Sequence, residues 1–315
     1  MRYMKPGVLQ TISLGLCLMS LGSTVSFAQT LPLGQTPSGH FTLEVTIGAS
    51  DALTFVIDTG ASHTAIAQPI AEELGFVSQW VELDDVQALT TRFEAERFML
   101  NDLRIPGLEP TNLNSVVVPV APETPTVIAG LLGADALPAQ RYSLDFSRSE
   151  LVIDVPAPEH GDAIYNRSRR LIFAKARLGS GSRRIDVLID SGSARTLINS
   201  ELGRNVRNRT IGVSFSVGGV SSDDPVQMQE APLRRLQIGG MCVQRVSTLE
   251  NDLDIFETLG WEHSPAMVVG LDILQYAKII VDRQSGEVEI SPADPQHDCP
   301  TEERIQRSHQ DMDGM

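Results

Sequence analysis

Little in this chain is suited to holding a metal or a polyanion. Its six histidines form no His-Glu-x-x-His pattern and its three cysteines no Cys-x-x-Cys, so no metal and no other cofactor is expected. Lys and Arg number 25 against 40 Asp and Glu, which argues against nucleic acid and anionic membrane as partners. Such an excess speaks to solubility before it speaks to specificity. Long apolar runs are also missing. The stretch from Ile12 to Leu21 is short and interrupted, and nothing later approaches the roughly 20 residues of a spanning helix, so no membrane span is expected. No Gly-x-Ser-x-Gly elbow surrounds Ser191, which removes a serine-hydrolase reading.

The first residues read as an export signal. Arg2 and Lys5 precede the apolar stretch, and Ser26-Phe27-Ala28 supplies a small-x-small cleavage site, so residues 1–28 are expected to be a signal peptide and the mature protein to be exported, to the periplasm or beyond. Leu16 is bulky where a lipidated Cys17 would need a small residue before it. Cleavage would take the formal net charge from −15 to −17 and leave two cysteines, Cys242 and Cys299. In an exported protein such a pair is more often bridged than free, so a disulfide between them is expected.

What the chain does contain, it contains twice. Val56-Ile57-Asp58-Thr59-Gly60-Ala61-Ser62 returns as Leu188-Ile189-Asp190-Ser191-Gly192-Ser193-Ala194. A lone Asp-Thr/Ser-Gly would arise at about one position in a couple of thousand from average composition, so one copy says little. Here the match extends on both sides. Phe41 to Ile47 and Leu171 to Leu178 both alternate and are followed by Gly48 or Gly179, which reads as a hairpin whose second strand runs into the Asp. Leu131-Leu132-Gly133-Ala134-Asp135 corresponds to Val268-Val269-Gly270-Leu271-Asp272, and the segment Tyr142 to Phe146 to that from Lys278 to Asp282. The offset is 132 at the aspartates and 137 at the glycines, a drift of loop length within a duplicated domain.

Strand-like runs broken by Gly, Pro and Asp predict an all-β architecture. Short helices are expected over Pro69 to Leu74, Ala134 to Ala139 and Leu271 to Tyr276. The paired prolines of Pro156-Ala157-Pro158 mark the boundary. The division is then an N-terminal lobe at 29–157, a linker at 158–168, a C-terminal lobe at 169–293 and a polar, disordered tail at 294–315.

A hydrophobic strand ending in Asp-Thr/Ser-Gly, followed some seventy to eighty residues later by two hydrophobics and a Gly, resembles the lobe of an aspartic peptidase. The resemblance covers nearly all of the chain after residue 28, and it is closest to two retropepsin-like lobes fused in one polypeptide, as in bacterial exported members of the group. It implies a bilobal acid-protease fold of two homologous β-barrel-like lobes flanking a cleft, in a monomer with an internal pseudo-dimer. Asp58 and Asp190 would be the catalytic pair, with Thr59 and Ser191 locking the two loops across the pseudo-two-fold axis. Gly60, Gly192, Gly133 and Gly270 would permit and support the tight backbone. The substrate would be an extended peptide or unfolded protein, held as an added strand.

The residue types suit that chemistry. Two carboxylates a few ångströms apart cannot both ionise easily, so one can act as base towards a water while its protonated neighbour polarises a carbonyl. Pepsins have a hydroxyl two residues beyond the Thr/Ser that bonds the catalytic carboxylate. Ser193 supplies it in the second repeat and Ala61 lacks it in the first, which predicts a mildly acidic optimum. Val217-Gly218-Gly219 reads as the tip of a substrate flap in the second lobe. The matching stretch of the first, Asp85 to Arg92, has neither Gly nor Tyr, so two unequal flaps or a single working one are both open. His63, close behind the first motif, is read as structural. The rival reading from another class is a non-catalytic binding protein, or a processing protein with a single substrate, on the same scaffold.

Overall fold

The computed structural model describes residues 28–76, 82–119, 128–137, 139–179, 184–204, 206, 214–217 and 226–297. The fold is all-β, a double barrel with four short helices. Each half is built around the strand that ends in the repeated aspartate. In the first half β3 (Phe41–Ile47) turns at Gly48 into β4 (Leu53–Ile57), and in the second β13 (Leu171–Leu178) turns at Gly179 into β14 (Arg184–Ile189). Both glycines have a φ of 57°, which a side chain would resist.

Strands β4 and β14 each run parallel to a strand from much later in the chain. β9 (Gly130–Leu132) lies beside β4, with Ile57 opposite Leu132; β19 (Ala266–Val269) lies beside β14, with Ile189 opposite Val269. Phe55-Val56-Ile57 and Val187-Leu188-Ile189 are buried without a break, the pattern of a strand covered on both faces. On the far side of β9 and β19 come β5 (Ala65–Ala67) and β15 (Leu197–Ile198), antiparallel to them. Long hairpins complete each barrel: β6 (Glu82–Gln87), β7 (Arg92–Arg104) and β8 (Thr111–Val118) in the first half, β16 (Ser214–Val217), β17 (Val226–Ile238) and β18 (Met241–Glu250) in the second. The pairings match one for one between the halves.

A six-stranded stretch of sheet joins the two halves. Its order is β1 (Gln29–Pro32), β11 (Glu150–Ile153), β10 (Arg141–Asp145), β20 (Ala277–Asp282), β21 (Glu287–Pro292) and β12 (Ala163–Asn166). The pseudo-two-fold passes between β10 and β20, where Leu144 faces Ile279 and both are fully buried. β12, which pairs with both β21 and β13, is therefore to the second half what β1 and β2 (Gly34–Gln35) together are to the first. Residues 163–166, expected as linker, already belong to the second repeat, because Ala163 and Tyr165 turn their side chains into the core.

Two other expectations are corrected. Where a helix was expected over Ala134 to Ala139, residues 134–136 form a turn, with the Ala136 N–H donating to the Gly133 carbonyl at 3.1 Å. Pro138 offers no N–H and disfavours helical backbone at Leu137, whereas the counterpart Leu271–Leu274 has no proline and makes the helix α4. The tail begins in an ordered way: Pro295–His297 makes one 3-10 turn, and the His297 ring stacks on Tyr276 with centroids 4.3 Å apart. The expected first helix is present as α1 (Gln68–Glu73), with Pro69 in its first turn. Residues 1–27 and 298–315 lie outside the described residues. Cys242 is disulfide-bonded, and Cys299, its expected partner, lies outside them.

Leu144→Ala should cost about 2–5 kcal/mol. Because the residue sits in the sheet common to both halves, thermal unfolding followed by near-UV and far-UV circular dichroism should still show one coincident, lowered transition. Two separated transitions would mean that the halves unfold independently.

Candidate active site

The parallel pairs deliver the two aspartates to one place. The Asp58 N–H donates to the Leu132 carbonyl and the Asp190 N–H to the Val269 carbonyl, each at 3.0 Å, so the ladder holds each aspartate one residue past its strand. The carboxyls of Asp58 and Asp190 meet closely enough that each alters the other's ionisation. Glycine is required on both sides of this contact. A Cβ on Gly60 would lie 2.4 Å from the Asp190 Cγ, and one on Gly192 would lie 2.4 Å from the Asp58 Cγ.

Four hydrogen bonds cross between the loops in two matching pairs. The Thr59 N–H donates to the Ser191 Oγ at 3.0 Å, and the Ser191 hydroxyl donates onward to the Ile57 carbonyl at 2.7 Å. Reciprocally, the Ser191 N–H donates to the Thr59 Oγ1 at 3.0 Å, and the Thr59 hydroxyl to the Ile189 carbonyl at 3.0 Å. Each hydroxyl both donates and accepts across the axis. Thr59 and Ser191 are buried, so no water competes for these bonds.

Beneath each loop lies a second matched set that sequence reasoning missed. The Gly133 N–H donates to the Thr64 Oγ1 at 3.2 Å, and Thr64 gives its N–H and hydroxyl to Asp135 at 2.9 and 2.8 Å. In the second half the Gly270 N–H donates to the Thr196 Oγ1 at 3.1 Å, and Thr196 bonds Asp272 at 3.0 and 2.6 Å. Gly133 and Gly270 thus tie the apolar strands to the aspartate loops, and their backbones pass so close to His63 and Arg195 that a Cβ would collide. The signal was in the repeat, since both Thr residues stand six after the aspartate and both Asp residues two after the glycine. His63 itself is exposed, its Nδ1 in contact with the Ser62 hydroxyl at 2.9 Å. His40 was also missed: its Nε2 lies 3.1 Å from the Gly192 carbonyl of the other half. No repeat signal could have revealed it, because Arg170 stands at the matching place before β13.

Electrostatically the pair is out of balance. Burial pushes both carboxyls above the ordinary carboxylate range, and Asp190 well above it because the Asp58 charge adds to burial. Backbone donors oppose the shift: Gly60 N–H to Asp58 Oδ1 at 2.8 Å, and Gly192 and Ser193 N–H to Asp190 Oδ1 at 2.9 and 3.2 Å. The expected donation from the Ser193 hydroxyl is not found. That hydroxyl donates to the Arg195 carbonyl at 2.8 Å, and only the Ser193 backbone reaches Asp190. Among the described residues, then, neither carboxylate receives a side-chain hydroxyl. Asp190 is thus the more strongly raised of the two carboxyls, and the pair titrates as a unit.

The first-half hairpin β6–β7 is closed by a tight turn, Ala88 N–H to Thr91 carbonyl at 2.9 Å, so the stretch from Asp85 to Arg92 forms a hairpin tip without glycine. In the second half Val217 ends β16, and Gly218 and Gly219 lie outside the described residues. Among the described residues no three His, Cys, Asp or Glu side chains converge as a metal site, and no helix is long and apolar enough to cross a membrane.

Residues 43–136, from β3 through the Gly133 turn, match the model of a family described as Aspartyl protease. The match supports an aspartic-protease relationship and a hydrolase of that type. No curated protein matches the chain.

Thr59→Val keeps the shape of the side chain but removes both bonds of its hydroxyl. With the Ser191 N–H and the Ile189 carbonyl left buried and unpaired, stability should fall by about 1–3 kcal/mol per orphaned group. Denaturant midpoints check this. A loss below about 0.5 kcal/mol would mean that the crossing bonds are dispensable.

Proposed function

We propose that the chain is an aspartic endopeptidase made of two fused retropepsin-like lobes, acting in the cell envelope after export. The observation that carries the reading is the contact between two carboxylates held by matched, crossing hydroxyl bonds. A water between Asp58 and Asp190 would lose a proton to the ionised Asp58 as it attacks the amide carbonyl, while Asp190 donates its proton towards the carbonyl oxygen. Collapse of the resulting gem-diol breaks the C–N bond as the carboxyl formed at Asp58 gives its proton to the leaving nitrogen and the ionised Asp190 takes one back from a diol hydroxyl, which restores the starting pair. Thr59 and Ser191 hold the loops, and Gly60 and Gly192 allow the close approach. An extended peptide lying between the lobes would offer its backbone as an added strand and its side chains alternately to the two walls.

Asp58→Asn and Asp190→Asn should each lower kcat on an unstructured peptide library by about 10²–10⁴-fold with the fold intact. Full activity in either variant would end the reading. Wild-type rates should trace a bell in pH, since the working state carries one proton on the pair. Its maximum should lie in the mildly acidic range, because no side-chain hydroxyl among the described residues stabilises either ionised carboxyl; a maximum below about pH 3 would contradict this.

Stability should follow the same titration. Both folded-state values lie above the ordinary carboxylate value, so the pair's contribution to stability is fully present below about pH 4 and is lost as pH rises through the raised values. Asp190→Asn should therefore melt above wild type near neutrality, with the gap closing in acid. A gap that widens in acid would reverse the assignment.

A further inference from the structure

We infer that the substrate-free protein is closed on itself: the β6–β7 hairpin lies across the dyad, and Leu89 at its tip occupies a second-half subsite that an incoming apolar side chain must take over. The inference deepens the peptidase reading and rests on it for what enters the cleft.

Strand alternation identifies the walls on either side of the dyad. Leu188 stands two residues before Asp190 and so faces the same side of the sheet; Val268 is its cross-strand partner in β19. These two belong to an apolar cluster separate from the main core, and Phe173 and Trp261 pack against it, their rings 5.7 Å apart and edge to face. In the first half Val56 has the same relation to Asp58, and its partner Leu131 packs with Ala65, Val116 and their neighbours. The hairpin touches both walls. Its cross-strand pair Val86 and Phe93 packs on the Leu131 cluster, while Leu89, at the turn, packs on the Leu188 cluster. A hairpin that packs on the Asp58 face of the first-half sheet and on the Asp190 face of the second bridges the side on which substrate must lie.

A polar latch fastens the tip. The Thr258 hydroxyl, at the end of the helix α3 (Asp254–Thr258), donates to the Gln87 Oε1 at 2.9 Å and accepts from the Arg92 Nη2 at 3.1 Å. Arg92 Nε also donates to Gln87 Oε1 at 3.1 Å, so three side chains close a ring between the halves. The closed state is not free of cost. Thr90, next to Leu89, has a buried hydroxyl with no partner, a donor that a substrate backbone carbonyl would satisfy. The socket is aliphatic and aromatic, and the substrate class it selects is a peptide with a large aliphatic side chain at that subsite. Thr258 touches no reacting atom; it positions the hairpin.

Trp261 packs on the same cluster as Leu89 and so reports on it. Trp80 is the only other tryptophan, so Trp80→Phe leaves one emitter. In that background, without substrate, Leu89→Ala and Thr258→Val should each shift Trp261 emission to the red and increase its quenching by acrylamide. On peptides carrying Leu or Ile, Thr258→Val should lower KM by about two- to ten-fold with kcat little changed, since apparent affinity rises with the open fraction. Unchanged emission and quenching in both variants would overturn the plug. A raised KM with lowered kcat would overturn the resting latch and leave the hairpin as a substrate clamp alone. Should no peptide be cut by the wild type, the peptidase reading falls on its own, and the emission of Trp261 still decides whether Leu89 fills the socket.

Discussion

Everything here is organised around bringing two like charges together and keeping them there. A close carboxylate pair with Asp190 buried and Asp58 half-buried is unfavourable twice over, through repulsion and through desolvation. The chain meets this with backbone, not with counter-charges. Each aspartate ends a parallel strand buried on both faces, each is followed by a glycine that admits the other carboxyl, and each loop gives a hydroxyl to the opposite loop. Thr59 and Ser191 matter because their bonds are reciprocal. Neither half can move its aspartate away without breaking bonds made by the other.

The internal symmetry is close in the backbone and looser in the side chains, and the differences fall where function would need them. His63 and Arg195 occupy matching places behind the aspartates, but Arg195 is paired with Asp272 at 3.4 Å and bonds the Ser247 carbonyl at 3.0 Å, whereas His63 is exposed. Ala61 and Ser193 differ without consequence for the carboxyls, because the Ser193 hydroxyl turns away. Burial and the neighbouring charge raise Asp190 more than Asp58. An almost two-fold scaffold thus holds two chemically unequal acids.

Much of this was legible in the sequence, and for a physical reason. A repeated strand–Asp–hydroxyl–Gly followed by hydrophobic-hydrophobic-Gly encodes a parallel neighbour and a tight loop, and those are backbone requirements that composition cannot hide. The alternation in Phe41 to Ile47 likewise encoded a half-buried hairpin. What escaped notice depended on partners far apart in the chain. Thr64 with Asp135, and Thr196 with Asp272, were visible as repeated letters but not as contacts. His40 reaching Gly192 carried no signal at all. The helix expected at Ala134 failed because the repeat was allowed to outweigh Pro138. Whether the first half carries a flap was left open because the stretch from Asp85 to Arg92 has no glycine, and the hairpin there closes its turn without one.

The sheet joining the halves has a further consequence. In β10 a basic residue, Arg141, stands four positions before Asp145; in β20 Lys278 stands four before Asp282; and the antiparallel register sets Arg141 opposite Asp282 and Asp145 opposite Lys278. Each strand would therefore be as well matched to a copy of itself as to its actual partner, the self-complementary arrangement of an isologous interface. Cut in the irregular stretch at 154–162, either half would present β10 or β20 as an open edge with charges spaced to accept its own twin. The covalent join does more than tether. It decides which of three nearly equivalent pairings is made, and only the mixed one brings two different acids face to face.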